Sequence, residues 1–193
     1  MSCGKLGEDR NVDNPVSGRE CGGCTACCTV LKVDEPELKK PSDQVCPNCT
    51  QGGCKIYETR PAICRRFECG WKILRYLGEE WRPDRCGVII DLVEGDQIPA
   101  GFRQAALKFE IVDSPNVLFW PPLIRFIRSE IERGHPVFLG TPAAVGYERR
   151  MVFLNYIMAE AVAARDNTLM IHALRQALQI GLSDAMKEKA TFS

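Results

Sequence analysis

Histidine is nearly absent from this chain of 193 residues: only His135 and His172 occur, both far in sequence from any cysteine cluster. That scarcity leaves thiolates as the natural donors for any metal site and disfavours mixed Cys/His ligation. His135 follows an expected helix end and precedes a proline, which suits a turn. His172 suits a packed or exposed helical position. The chain also lacks net charge, its 25 Lys and Arg balancing its 25 Asp and Glu, so nothing global recommends nucleic acid or an acidic membrane surface as a partner. No apolar run reaches membrane-spanning length, and the opening MSCGKLGEDRNVDN contains no apolar signal core. These absences predict a cytoplasmic protein without a membrane segment, in a compartment that keeps thiols reduced. Phosphate-cradling glycine loops, nucleophile elbows, dinucleotide fingerprints and internal repeats are missing as well.

Cysteine is what the chain has in excess. Nine of the eleven cysteines fall between Cys21 and Cys69, and only Cys3 and Cys86 lie outside. An odd count without a signal segment argues against a disulfide framework and favours metal ligation. Cys21-Gly-Gly-Cys24-Thr-Ala-Cys27-Cys28 opens the cluster. Two intervening residues let a chain curl so that both thiolates face one ion, and glycine permits the backbone angles such a knuckle needs. The same spacing suits iron–sulfur clusters. The adjacent pair Cys27-Cys28 is less usual, because neighbouring side chains tend to diverge; the two thiols could serve different ions, or one alone could serve the site. A second ligand-rich loop, Cys46-Pro-Asn-Cys49-Thr-Gln-Gly-Gly-Cys54, leads into Cys64 and Cys69.

The segments between and after these loops carry ordinary structural signals. Thr29 to Val33 reads as a short strand, and DEPELKK as a helical turn or exposed loop. Pro61 suits the opening of a helix, with Ile63, Phe67, Trp71 and Leu74 as its apolar stripe. On an ideal helix Cys64 and Cys69 lie about 140° apart, so one ion could not take both unless the helix is distorted near Gly70. Arg60, Arg65, Arg66, Arg75, Arg82 and Arg85 crowd this region. Four thiolates around a divalent ion carry excess negative charge, which nearby guanidinium groups would offset. The acidic residues Glu58, Glu68, Glu79, Glu80 and Asp84 make a nucleic-acid surface the lesser reading of the same arginines.

Beyond Cys86 the chain reads as scaffold. Cys86 to Val93 and Ala106 to Val112 are β-rich runs that would pair around the turn residues Glu94 to Gly101. A helix is expected from Phe119-Trp120-Pro121-Pro122, with Leu123, Ile124, Ile127 and Ile131 as its stripe and Gly134 as its stop. Pro136 to Leu139 suits a short strand, and two helices are expected at about 148–164 and 168–180. The whole is α+β: a small irregular Cys-rich metal-binding half packed on a small antiparallel sheet with three or so helices. Residues 1–18 read as a mobile tail, 19–86 as the Cys-rich region, 87–182 as an α+β region forming one compact domain with it, and 183–193 as a C-terminal tail.

The run CGGCTACC, followed by a cysteine-proline, GGCKIYETRPAICRRFEC and a tryptophan, resembles the CxxCxxCC (YkgJ-type) family, described as a zinc- or iron-chelating domain. The resemblance covers residues 20–72 closely and the part beyond Arg82 loosely. It implies eight metal ligands: Cys21, Cys24, Cys27, Cys28, Cys46, Cys54, Cys64 and Cys69. Cys49, Cys86 and Cys3 are additional to that pattern. The expected cofactor is zinc or iron, an iron–sulfur cluster included. The expected function is a cytoplasmic metal-binding protein without catalytic activity of its own. The alternatives are an iron–sulfur protein with a redox or accessory role to an unknown partner enzyme, and a thiol switch at Cys27-Cys28.

Overall fold

The structure, a computed structural model, describes residues 15–103 and 105–192. Cys3 and most of the expected N-terminal tail lie outside the described residues. Where description begins, Val16 already donates its N–H to Lys72 O at 2.7 Å, and Arg19 Nη1 donates to the carbonyls of Trp71 and, at 3.0 Å, Leu74.

The cysteine-rich half is assembled from very short elements. Helix α1 spans Ala26–Val30, and β1 (Val33–Glu35) pairs antiparallel with β2 (Leu38–Lys40). A second two-residue hairpin joins β3 (Cys49–Thr50) to β4 (Gly53–Cys54). Helices α2 (Ala62–Arg66) and α3 (Gly70–Ile73) follow, then α4 (Pro83–Cys86). The strand expected over Thr29 to Val33 does not form as one: Thr29 and Val30 end α1, and only Val33 enters β1. Ala26 and Val30, four residues apart and both buried, form one stripe that packs against Ile89, and that tertiary contact overrides the β preference of Thr29 and Val30. The DEPELKK segment is a hairpin rather than a helical turn, with Asp34 opposite Lys39 and their charges 2.6 Å apart.

The single helix expected from Pro61 is broken in two. Phe67 and Cys69 adopt extended backbone angles between α2 and α3. Helix α3 restarts at Gly70, where a Cβ would sit 2.6 Å from Ile90 Cβ, so only glycine allows α3 to lie this close to the sheet. Ile63 consequently leaves the buried stripe and is exposed, whereas Trp71 and Leu74 are buried.

The second half contains a four-stranded sheet in the order β5 (Val88–Glu94), β6 (Ala105–Ile111), β7 (Val137–Thr141), β8 (Arg150–Phe153). The expected β5–β6 hairpin forms, with Asp91 opposite Lys108. The sheet is mixed rather than antiparallel, because β6 and β7 run parallel. Helix α5 (Pro121–Glu132) is the crossover that a parallel pair requires. The helix expected from residue 148 begins only at α6 (Leu154–Ile157). Before it, β8 pairs with β7, placing Phe153 opposite Phe138 and Val152 opposite Leu139. Helices α7 (Ala159–Ala164) and α8 (Asn167–Ser183) complete the layer, and Asp166 Oδ1 caps α8 by accepting from Thr168 N and Leu169 N.

Both faces of the sheet are covered. Leu107, Phe109 and Ile111 on β6, with Val137 and Leu139 on β7, meet Leu123, Ile127, Met170, Leu174 and Ala177 of α5 and α8 in the main core. The alternate residues of β5 and β6, Ile89, Asp91, Lys108 and Glu110, face the cysteine-rich half. The C-terminal segment docks as well. Lys189 bridges to Tyr147, and Ala190 N donates to Gly146 O at 2.8 Å. Among the described residues, no helix is long and apolar enough to cross a membrane.

Candidate metal centre

A cavity of about 450 Å³ lies between the cysteine-rich half and the polar face of the sheet. Cys21, Cys24, Cys27, Cys28, Cys46, Cys54, Cys64 and Cys69 all line it; Cys49 and Cys86 do not. The ten described cysteines are free thiols.

Each thiol reaches the cavity through a local device. The Cys21–Cys24 turn closes with Cys24 N donating to Cys21 O at 2.9 Å, and α1 then carries Cys27 and Cys28. Cys46 N donates to Cys28 O at 3.0 Å, docking the second loop on the end of the first. The β3–β4 hairpin places Cys54 directly opposite Cys49. At its turn Gly53 has φ +122°, and a Cβ there would lie 2.9 Å from Gly22 O, so the two cysteine loops touch backbone to backbone. The break between α2 and α3 sets Cys64 on a helix and Cys69 on extended backbone, so their approach to the cavity is not limited by helical periodicity.

Electrostatics differ from thiol to thiol. The side-chain hydrogen bond between the adjacent thiols raises Cys27 and is the largest cause lowering Cys28, to about 6; the charges of Lys40 and Arg60 add to the lowering. Burial pushes Cys24 and Cys64 up, and carries Cys69 to about 11. Four cations attend the thiols. Lys40 is 1% exposed, and its Nζ donates to the carbonyls of Thr29 (3.3 Å), Pro41 (2.9 Å) and Gln44 (2.9 Å). Burial lowers its pKa, opposed by the charges of Cys46 and Cys28. Arg60 stacks 3.8 Å from the Tyr57 ring centroid and donates Nε to Cys64 O at 3.2 Å. Lys72, paired with Glu68 at 2.6 Å, acts on Cys21, and Arg82, paired with Asp84 at 2.6 Å, acts on Cys24.

Of the six arginines marked in the sequence, Arg60 and Arg82 thus sit by the thiols, while Arg66 pairs weakly with Glu35 at 3.9 Å and Arg85 pairs with Glu79. Sequence reasoning missed Lys40 and Lys72. It also missed the wall facing the thiols: Lys108 bonds Asp91 at 3.1 Å and Glu110 at 3.0 Å, and Arg149 joins Glu110 to Asp43. The signal for that wall lay in the strands, where Lys108 and Glu110 alternate with Leu107, Phe109 and Ile111 on one face. His135 lies apart from the thiols. Its Nδ1 is 2.6 Å from Glu130 Oε2, and Arg103 is 3.0 Å from its Nε2.

Among the described residues, no group of three or more His, Cys, Asp or Glu side chains is placed so that it could hold a metal ion. The donor chemistry nevertheless fits thiophilic metals, with eight soft donors on one cavity and cations beside them to offset thiolate charge. Comparison with known protein families, curated proteins and solved structures finds no match.

Proposed function

We propose that this protein is a cytoplasmic metal-binding protein that chelates zinc or iron through its cysteine cluster. The observation that carries the reading is that the eight cysteines implied by the sequence resemblance, drawn from four separate segments, open on one cavity, while the two extra described cysteines do not. Chance clustering in sequence does not require such convergence. Whereas α3 and the residues after it join the main core, the first cysteine loop and α1 have only a small core of their own: Ala26, Val30 and Ile89, the last borrowed from β5. A bound ion would supply folding free energy that this core does not. When bound, zinc closes a thiolate site structurally, whereas iron with sulfide supplies electron transfer.

The test is elemental analysis with an ultraviolet–visible spectrum on protein purified without oxygen. Stoichiometric zinc or iron is the expected result, with loss of metal in Cys24→Ser and Cys64→Ser and none in Cys3→Ser. Brown protein with acid-labile sulfide would make the redox or accessory role, with a partner enzyme, the better form of the reading. Full metal content in Cys24→Ser would sink the ligand assignment.

A further inference from the structure

We propose that Cys49 and Cys54 form an oxidation site: a hydroperoxide closes a reversible disulfide between them, across the β3–β4 hairpin. The bridge itself stands without the metal-binding reading above. Its consequence, withdrawal of Cys54 from the donors of the cavity, rests on that reading.

The register of the hairpin brings the two thiols together. Cys49 pairs with Cys54 and Thr50 with Gly53, so the connecting turn is Gln51-Gly52. One residue further from the turn, Lys55 N donates to Asn48 O at 2.9 Å. Hydrogen-bonded and non-hydrogen-bonded pairs alternate along an antiparallel ladder, so Cys49 and Cys54 are a non-hydrogen-bonded pair. Such pairs hold their Cα atoms about 4.5 Å apart with both side chains on one face, inside the range of about 4.4–6.8 Å that a disulfide spans. Among the described residues no other two cysteines are strand partners.

The hairpin is already fixed on both sides. Cys49 N donates to Cys46 O and Thr50 Oγ1 to Gly53 O, both at 2.9 Å. A Cβ on Gly53 would lie 2.9 Å from Gly22 O, so the turn rests against the first cysteine loop. Forming the bridge therefore asks for side-chain rotation and little movement of the chain. Both cysteines are half-buried, open enough for a small oxidant, whereas Cys46 in the same loop is buried. Cys49 Sγ lies 3.8 Å from Thr50 O, a weak contact with its own neighbour.

The chemistry balances with a hydroperoxide alone. One thiol sulfur attacks the terminal peroxide oxygen; the O–O bond breaks, an S–O bond forms, and an alcohol or water leaves. The second sulfur attacks the resulting sulfenic acid. The S–S bond forms, the S–O bond breaks, and hydroxide leaves with the second thiol's proton as water. Two electrons pass from the sulfurs to the peroxide. A dithiol reverses the reaction by exchange. The ring closed is short, and the stability that a cross-link adds falls with loop length. An exposed bridge of this kind is readily reduced, as a switch in a thiol-reducing compartment needs.

Two other thiol pairs compete. Cys28 lies beside Cys49, but it sits on α1 rather than on the hairpin, and no backbone register holds the two face to face. Cys27 and Cys28 are consecutive on α1, where side chains point about 100° apart. A bridge across their single peptide bond would distort that helix. The sequence alone points to a switch at this adjacent pair; the register points to Cys49 with Cys54. The difference matters to the cavity, because Cys54 lines it and Cys49 does not. Oxidation uses a thiol outside the cavity to remove one from within it.

The full chain, reduced and free of metal, is treated under argon with one equivalent of hydrogen peroxide and mapped by peptide fragmentation without reduction. The expected product has lost two thiols to a link between Cys49 and Cys54, and dithiothreitol restores them. Cys49→Ser should keep Cys54 reduced at that dose. A first link from Cys49 to Cys28, a first link from Cys27 to Cys28, or no link at all would overturn the proposal. The consequence is read on the zinc-loaded chain with a coloured chelator. The same dose should release zinc from the wild type and leave it in Cys49→Ser, which should hold as much zinc as the wild type when reduced. A Cys49–Cys54 bridge with zinc retained would overturn the effect on the cavity. Absence of zinc from the reduced wild type would overturn the metal-binding reading and leave the bridge standing.

Discussion

Arg149 Nε donates to Glu110 Oε2 at 2.8 Å, and its Nη1 pairs with Asp43 at the same time. Glu110 belongs to β6 and Asp43 to the loop after β2, so one guanidinium pins the cysteine-rich half to the sheet. Arg149 Nη2 also donates to Ile111 O at 2.8 Å, and the side chains of Arg149 and Glu110 are only 6% and 4% exposed. This ionic joint adds to the apolar contact that Trp71, Ile73, Leu74, Leu77 and Trp81 make with the sheet in the main core.

Replacing Arg149 by Met should therefore act on two levels. It leaves the Glu110 carboxylate paired with Lys108 alone of these two cations, and breaking a buried pair from one side costs about 3–5 kcal/mol. Urea denaturation should record that loss, and the cysteines should alkylate faster as the joint loosens. A loss below about 1 kcal/mol would show that Arg149 does not hold the halves together.

The same carboxylate restricts β7. A Cβ on Gly140 would fall 1.9 Å from Glu110 Oε2 and 2.4 Å from its Cδ. Glu110 is held by both Lys108 and Arg149, so it cannot swing aside without breaking them. Gly140→Ala should cost about 1–3 kcal/mol, as overpacking does. Gly23→Ala, where a Cβ meets nothing within 4 Å, should leave thermal stability nearly unchanged.

Asp91 supplies a pH signature. Burial raises its pKa above 3.8 despite Lys108 beside it, so the folded chain holds this proton more tightly than the unfolded chain. Its ionised form therefore opposes folding, an effect fully present above the folded pKa and absent below the unfolded one. Asp91→Asn should be at least as stable as the wild type at neutral pH, with Lys108 still bonded to Glu110. Any advantage should vanish as pH falls through the carboxylate range. Chemical denaturation at several pH values measures both curves, and a variant markedly less stable at neutral pH would contradict the sign.

Periodicity made much of the scaffold legible. The β5–β6 hairpin, the Leu123–Ile127 stripe and its stop at Gly134, and the β7 strand all have their signals within a dozen residues. What was not legible depends on long-range contact. Val30 is helical because Ile89 receives it, and the helix from Pro61 breaks because Gly70 must lie against Ile90. Strand β8 exists because β7 offers it an edge. For the site, the eight cavity-lining cysteines are the set that the sequence resemblance implies, whereas Lys40 carried no signal. A lysine beside a proline looks like any solvated charge until the fold buries it among carbonyls.

That buried lysine gives the sharpest test of the cavity's chemistry. Lys40 is almost wholly inaccessible, and burial lowers its pKa, yet Cys46 and Cys28 act in the opposite direction and favour its charge. A buried ammonium is costly unless anionic charge is near. In a metal-loaded cavity the thiolates supply that charge, and Lys40 offsets theirs in return. Lys40→Met removes the counter-ion without touching a ligand, so it should weaken zinc retention about 10–100-fold, the range seen when groups supporting metal ligands are lost. Competition against a coloured chelator reads the affinity, and circular dichroism of the same samples reports whether the fold is retained. Unchanged affinity in folded Lys40→Met would mean that Lys40 serves only the carbonyls of Thr29, Pro41 and Gln44, as an internal clasp for the loop after β2.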